Sequence, residues 1–384
     1  MLSGMKKLNK NIVLLGFVSM LTDISSEMIF SILPIFMSSV LMLDKFFIGF
    51  IEGCAEATAN LSKFLSPVLE KKFKRKKPVI LFGYTLSTLV KPLFAFATSG
   101  ISVFVLRVFE RIGKGVRGPA RDAIVADFSS KEIRGRAFGL HRMMDTIGAV
   151  IGPFFAFLIL SLYTNDFPLV FLLSFIPGIL SVLLLYLFVR EPPHTEKLKT
   201  KTEMDVPHDN YVWFLLSASF FALGNMSFAF ILIRVQELGM KIAFVPLAYL
   251  LFNVVYAFFS IPFGAFADRI GVVRALSFTY LLFFISFLGF AFSSEIWLSI
   301  IALMVYGIAT AGSETLQRTL ASQIVPKEKR TGGFATYQGI TGLLVLPASL
   351  IAGFLWSAFS PTIAFVFSAA CSLVALFLLQ RIKR

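Results

Sequence analysis

Three stretches of the chain, residues 168–189, 275–293 and 361–379, carry no charged side chain at all. Coiled into a helix, about 20 apolar residues cover the ~30 Å hydrocarbon core of a bilayer. A soluble chain of 384 residues would divide into two or three domains. Here apolar residues make up 57% of the chain and the mean hydropathy is +0.81. The pattern predicts an all-α integral membrane protein.

The same pattern gives twelve predicted spans, at 11–40, 46–68, 78–98, 101–127, 133–162, 168–189, 212–236, 243–266, 275–293, 296–325, 333–357 and 361–380. Several exceed the core thickness, which implies tilt or extension beyond it. A net charge of +14 would suit nucleic acid, but no basic stripe is interleaved with exposed aromatics. The Lys and Arg residues instead fall in short segments between apolar runs. Lys6, Lys7 and Lys10, Lys71 to Lys77, Lys131 to Arg136, Arg190 to Lys201, Arg269 and Arg274, Lys327 to Arg330, and Arg381 to Arg384 all lie on one side of an even-span topology. Positive loops stay inside, so both termini are expected in the cytoplasm of a multi-pass cell-membrane protein. The start MLSGMKKLNK is read as leading into an uncleaved first span, because no small-residue cleavage site follows it. Cys54 and Cys371 sit inside apolar runs and read as packing residues.

The chain also repeats itself. Residues 131–139, KEIRGRAFG, align with residues 327–335, KEKRTGGFA, at an offset of 196. Phe82 to Leu86 lie over Phe278 to Leu282 at the same offset. The longest polar stretch, 190–211, separates the copies and holds His194 and His208, read as solvated. The expected domains are 1–189, a linker at 190–211, and 212–384. Duplicated apolar halves commonly place a solute site between them.

After the eighth span the sequence reads Gly264-Ala-Phe-Ala-Asp268-Arg269-Ile-Gly271-Val-Val-Arg274. This resembles the Gly-xxx-Asp-Arg-x-Gly signature of the major facilitator superfamily, which lies between the second and third spans of each six-helix half. Gly264 would permit close helix contact, Gly271 a tight turn, and Asp268 a cap or ion pair. The basic pair expected after Gly271 is Val272-Val273, with Arg274 displaced. The first-half counterpart, LEKKFKRKKP, has Lys72 where the second has Asp268. On span five, Gly139, Gly148, Gly152 and Pro153 fit a Gly-x8-Gly-x3-Gly-Pro spacing that the superfamily associates with antiporters. The block from Arg107 to Asp122 on span four, with DISSEM on span one, is similar to that of a subset of uncharacterised prokaryotic transporters. The resemblance implies two pseudo-symmetric six-helix bundles, a monomer, and spans one, four, seven and ten around a cavity.

An ionisable group at bilayer depth needs a partner or a purpose. Asp23 and Glu27 on span one, Glu56 on span two, Arg107, Glu110 and Arg111 on span four, Asp145 on span five, and Glu314 and Gln317 on span ten are the candidates for substrate or proton coupling. Asp23 and Glu27 share one face, four residues apart. An acid held out of water exchanges protons near neutral pH, and either residue is a candidate carrier; a buried salt bridge with Arg107 or Arg111 is the alternative. His141 and Asp145 are read as part of an intracellular charge network with Arg117, Arg121 and Asp122. Asn225, Asn253 and Tyr256 are read as helix bridges.

The expected function is secondary active transport of a small solute by alternating access, with proton-coupled antiport as the leading form. Import or facilitated movement of an anion, export of a divalent metal through Asp23, Glu27 and Glu56, and a non-transporting sensor are the alternatives. No Gly-x4-Gly-Lys-Ser/Thr loop is present, so ATP is not the expected energy source. No catalytic set, resident metal or cofactor is expected.

Overall fold

A computed structural model describes residues 9–130, 133–191, 209–325 and 330–382. The start of the repeated segment (Lys131 and Glu132, Lys327 to Lys329) and the linker residues 192–208 with His194 and His208 lie outside the described residues, as do Lys6, Lys7, Lys383 and Arg384.

The described chain is helical. In order the segments are α1 (Lys10–Phe30), α2 (Lys45–Ser62), α3 (Lys77–Val90), α4 (Gly100–Asp127), α5 (Arg134–Leu162) and α6 (Phe167–Leu173 then Phe175–Phe188). The second series is α7 (Asp209–Gly224 then Phe228–Glu237), α8 (Val245–Ile270), α9 (Val272–Phe292), α10 (Ile296–Ile324), α11 (Arg330–Ala358) and α12 (Pro361–Leu379). Ten of these twelve segments are long and apolar enough to cross a membrane. The other two are α2, with Lys45, Glu52 and Glu56, and α4, with Arg107, Glu110, Arg111, Lys114 and Arg117. Charge removes them from a hydropathy count, and the same charge makes them functional candidates.

The duplication is visible in the backbone. At the offset of 196, α5 maps onto α11 at both ends, and α4 onto α10 to within a residue. Several spans are interrupted. α1 breaks before Pro34 and ends in a π turn, Phe36–Val40. α2 breaks at Lys63 and Phe64 and resumes as Leu65–Phe73. α7 breaks at Asn225 to Ser227, where the Ser227 hydroxyl caps the new helix by accepting from the Ala229 N–H. No charge marks the breaks in α1 and α7, and Lys63 is the one charged residue at these breaks.

Contacts divide the chain into two compact units. Unit 1 holds residues 1–36 and 58–196; unit 2 holds 37–57 and 197–384. The first half of α2 therefore belongs with the second copy. There the Phe46 N–H donates to Ser357 Oγ at 3.0 Å, and Lys45 pairs with Glu237 at 3.1 Å. Within unit 1, α3 and α4 meet at Gly83 and Gly113, where an added Cβ would lie 2.6–2.7 Å from the facing carbonyl. The helices approach closely because neither glycine carries a side chain. A hydrophobic core of Ile12, Leu15, Val18, Ile80, Tyr84, Val116 and Leu185 fills one end of this unit.

Candidate functional site

The polar centre of unit 1 is built on α4. Arg107, Glu110 and Arg111 are buried, with no more than 4% of each exposed. Positions i, i+3 and i+4 share a helix face, and all three charges converge. Glu110 Oε2 accepts from Arg107 Nη1 at 3.0 Å and lies 3.4 Å from Arg111 Nε. Both guanidinium groups stand over the Phe30 ring, at 5.4 and 5.6 Å from its centroid. Two guanidinium groups thus meet at one carboxylate.

From α3, the buried Lys91 Nζ donates to Ser25 Oγ at 2.9 Å, and the Ser25 hydroxyl donates to the Ser174 carbonyl at 2.6 Å. Thr22 Oγ1 lies 2.8 Å from Ser181 Oγ. These contacts hold the polar face of α1 against α3 and α6.

The carboxylates of α1 are seated by α5. An added Cβ on Gly148 would lie 2.9 Å from the Asp23 Cβ, and one on Gly152 would lie 2.9 Å from the Glu27 Cβ. The spacing Gly148-x3-Gly152 thus matches Asp23-x3-Glu27 across the helix contact. Pro153 is buried within α5. Glu27 Oε2 is shielded from solvent and accepts no hydrogen bond among the described residues. Asp23 lies within electrostatic range of Glu27, Asp145, Lys114 and Arg117.

Ser26, Glu27 and Phe30 of α1, Lys91 and Phe94 from α3 and its end, and Arg107, Glu110, Arg111 and Lys114 of α4 line one pocket, partly open to solvent. The structure brings Glu27, Arg107, Glu110 and Arg111 together there. Asp23, Glu56, Asp145, Glu314 and Gln317 are not part of its wall. Phe30 and Lys114 were not foreseen; the signal for Phe30 was its place three residues after Glu27.

The remaining candidates sit elsewhere. Asp145 Oδ2 lies 3.4 Å from His141 Nδ1 on α5. Arg121 Nη1 donates to Ser19 Oγ at 3.1 Å and its Nε to Asp122. Arg117 donates to Ser87 Oγ at 2.7 Å and stacks on Tyr84. In unit 2, Glu314 is exposed and accepts from Tyr256 OH at 2.7 Å. Gln317 is buried; its Oε1 accepts from Tyr337 OH at 2.6 Å and its Nε2 donates to Tyr280 OH at 3.2 Å. Tyr306 OH donates to Asn225 Oδ1 at 2.9 Å, bridging α7 and α10. Asn253 instead donates to the Tyr249 carbonyl of its own helix. Glu56 falls in unit 2, on α2.

The loop motif after α8 differs from its expected use. Gly271 has φ +90°, a turn that favours glycine. Gly264 does not serve close approach: nothing lies within 4 Å of a Cβ placed there, and the same holds for Gly139. Asp268, Arg269 and Arg274 are exposed, and no side chain caps α9. In unit 1 the corresponding turn takes its acid from further along the chain. Glu191 accepts from the backbone N–H groups of Lys76 and Lys77 at 2.7 and 2.9 Å, capping α3, and Lys76 also pairs with Asp127.

The sequence model of the Major Facilitator Superfamily matches residues 15–234 and again 212–383. The chain belongs to this superfamily. It is 34% identical over 379 residues to an uncharacterized MFS-type transporter of Methanocaldococcus jannaschii, covering 96% of this chain and 94% of that one. It is 26% identical over 382 residues to an uncharacterized protein of Mycobacterium tuberculosis, covering 97% of this chain and 92% of that one. Among solved structures, a bacterial homolog of the human lysosomal transporter Spinster, inward-facing and occupied, superposes with a TM-score of 0.82 at 18% identity, over 99% of this chain and 98% of that one. A D-xylose–proton symporter gives 0.80 at 14% identity, over 98% of each chain. At these identities the structural likeness fixes the fold. The chain is a membrane transporter of the MFS type, built as two pseudo-symmetric six-helix bundles.

Proposed function

We propose that this transporter exports a small solute in exchange for protons, by alternating access of two bundles joined through the linker 190–211. The observation that carries this reading is Glu27. It is a carboxylate on a membrane-spanning helix, facing a polar pocket, with one shielded oxygen that accepts no hydrogen bond among the described residues. Among the described residues Glu27 has no ion pair, whereas Glu110 is held between two guanidinium groups. The match between Gly148, Gly152 and the two carboxylates supports the antiporter-like spacing on α5. Asp23 is the second carrier in this scheme. The protein works as a monomer in the plasma membrane, with both termini in the cytoplasm and no catalytic chemistry of its own.

The test uses inverted vesicles and a pH-sensitive dye, screened against a panel of solutes. In wild type a transported solute dissipates an imposed pH gradient. Glu27→Gln reduces that coupled flux by about 5–150-fold, the range of coupling free energies of 1–3 kcal/mol, and Asp23→Asn reduces it less. Unchanged coupling in both variants overturns the proton assignment.

A second reading has its own support. Lys91, Arg107, Arg111 and Lys114 outnumber Glu27 and Glu110 around the pocket, which favours an anionic solute.

A further inference from the structure

Between α2 and α3 the chain carries six cations and one acid, Glu70, in residues 70–77. After its break α2 resumes as Leu65–Phe73. One side of this short helix faces the protein: Ser66 is fully buried and Leu69 packs against the hydrophobic core. The other side is open. Phe64, Leu65 and Val68 are 74%, 47% and 63% exposed. Spacings of three and four residues place Leu65, Val68 and Lys72 on one face, so an apolar stripe runs directly into a cation. Lys71, Lys72, Lys74 and Arg75 are exposed and have no ion pair among the described residues. Two nearby acids are engaged at the start of α3: Glu191 accepts from the backbone N–H groups of Lys76 and Lys77, and Asp127 pairs with Lys76.

A second element sets the depth of this turn in the membrane. Lys77 Nζ donates to the Tyr186 carbonyl at 2.9 Å and stands 6.0 Å from the centre of the Tyr186 ring. Tyr186 lies in the last turn of α6 and is exposed. An exposed tyrosine at the end of an apolar span sits at headgroup level. The same end holds Arg190, whose N–H donates to Asn11 Oδ1 at the start of α1, next to Lys10. The turn itself does not require the charges. At the offset of 196, Lys71, Lys72, Lys74 and Arg75 become Ala267, Asp268, Ile270 and Gly271.

We propose that this surface binds an anionic membrane lipid, its phosphate among Lys71, Lys72, Lys74 and Arg75 and an acyl chain along Phe64, Leu65 and Val68. Each Lys or Arg at an anionic membrane surface strengthens attachment about fivefold, and the effect fades beyond a Debye length of about 10 Å at 0.1 M salt. Four unpaired cations within five residues therefore form a strong local attractor. A free phosphate would use the cations alone. A lipid uses the cations and the apolar stripe together, and their continuity on one helix face favours the lipid. The site is separate from the polar pocket and does not depend on the identity of the solute or on proton exchange.

The probes are dioleoylphosphatidylglycerol, dioleoylphosphatidylcholine and glycerol 3-phosphate, the last a headgroup without chains. Native mass spectrometry of the purified full-length protein in detergent reads the affinity of the first lipid bound, over a series of ammonium acetate concentrations. Wild type prefers phosphatidylglycerol to phosphatidylcholine, and the preference shrinks as salt rises. Lys71→Gln with Lys72→Gln lowers the phosphatidylglycerol affinity by about 25-fold, about fivefold for each cation lost. Arg269→Gln with Arg274→Gln, the same change of charge at exposed positions of the counterpart turn, leaves it within about twofold, since both lie outside this cluster. Lys71→Arg with Lys72→Arg keeps the affinity. All these side chains are exposed, and an unchanged Tm without added lipid shows that each variant is folded. No preference for phosphatidylglycerol in wild type overturns the proposal. So does an equal loss in the two Gln doubles, which would mean that net charge alone sets the affinity. Glycerol 3-phosphate bound as tightly as phosphatidylglycerol, with the same loss on substitution, assigns the surface to soluble phosphates and overturns the lipid. Polyglutamate bound more tightly than phosphatidylglycerol through the same lysines does so in favour of an acidic protein partner.

Discussion

The fourth and tenth helices are copies of one another, yet their interiors use different physics. At the offset of 196, Arg107 becomes Leu303, Glu110 becomes Tyr306, Arg111 becomes Gly307 and Arg121 becomes Gln317. On the neighbouring helix Lys91 becomes Phe287. Both Lys91 and Phe287 are 1% exposed, so the backbone offers the same kind of space and the side chains fill it differently. In unit 1 that space holds an ion triad and a lysine. In unit 2 it holds Tyr306, whose ring packs 5.2 Å from Phe283 and 5.8 Å from Phe287 and whose hydroxyl reaches Asn225. An aromatic cluster is stable by itself and indifferent to protons. A buried ion set is stable only while every charge is matched, and that dependence is what a coupling site can use. This difference is what supports the proposal that the coupling chemistry lies in the first half.

The comparison is most exposed to failure at Glu110. Glu110→Ala leaves two guanidinium groups buried on one carboxylate fewer, and it should cost about 3–5 kcal/mol. Its counterpart Tyr306→Phe keeps the ring and loses one hydrogen bond, which costs about 1 kcal/mol. Chemical unfolding in detergent reads both. Equal losses would mean that the two interiors are energetically alike and that the charges of α4 are not held as the geometry indicates.

A smaller effect is expected where α5 meets α1. Gly152→Leu drives a side chain into the Ile24 carbonyl and the Glu27 Cβ, an overpacking of about 1–3 kcal/mol, and it also displaces Glu27. The counterpart of Gly152 is Ala348, buried at 1% and already carrying a Cβ. Ala348→Gly should therefore cost only about 1 kcal/mol, the helix-propensity difference. If Gly152→Leu is tolerated and coupled flux persists, the seating of Glu27 by α5 is not needed.

Much of this architecture was readable because bilayer physics is one-dimensional. The predicted spans 101–127, 296–325 and 361–380 meet observed helices at Gly100–Asp127, Ile296–Ile324 and Pro361–Leu379. The breaks at Lys63, Ser174 and Asn225 were not readable, because an apolar window averages across two or three polar residues. The triad on α4 was half legible. The i, i+3, i+4 spacing put Arg107, Glu110 and Arg111 on one face, but nothing in the chain order says that Phe30 and Lys91 close the pocket around them. The motif glycines show the same limit. Gly264 and Gly271 look alike in a signature, and only the backbone separates an ordinary helical position from a turn at φ +90°.

That turn gives the finest comparison of the two halves. The second copy makes its α8–α9 turn at Gly271, while the first turns at Lys74, with φ 55° in the left-handed region. Left-handed geometry costs a residue with a Cβ about 1–2 kcal/mol and costs glycine almost nothing. Lys74→Gly should therefore raise the unfolding free energy by up to ~1 kcal/mol, less what the freer unfolded chain takes back. Gly271→Ala should lower it by a similar amount. Opposite signs from two changes at equivalent turns would show that the first copy keeps a strained lysine where the second keeps a relaxed glycine. That lysine adds its charge to a surface already rich in Lys71, Lys72 and Arg75. If Lys74→Gly leaves stability unchanged or lowers it, the Lys74 turn is not strained, and its sequence carries no such trade.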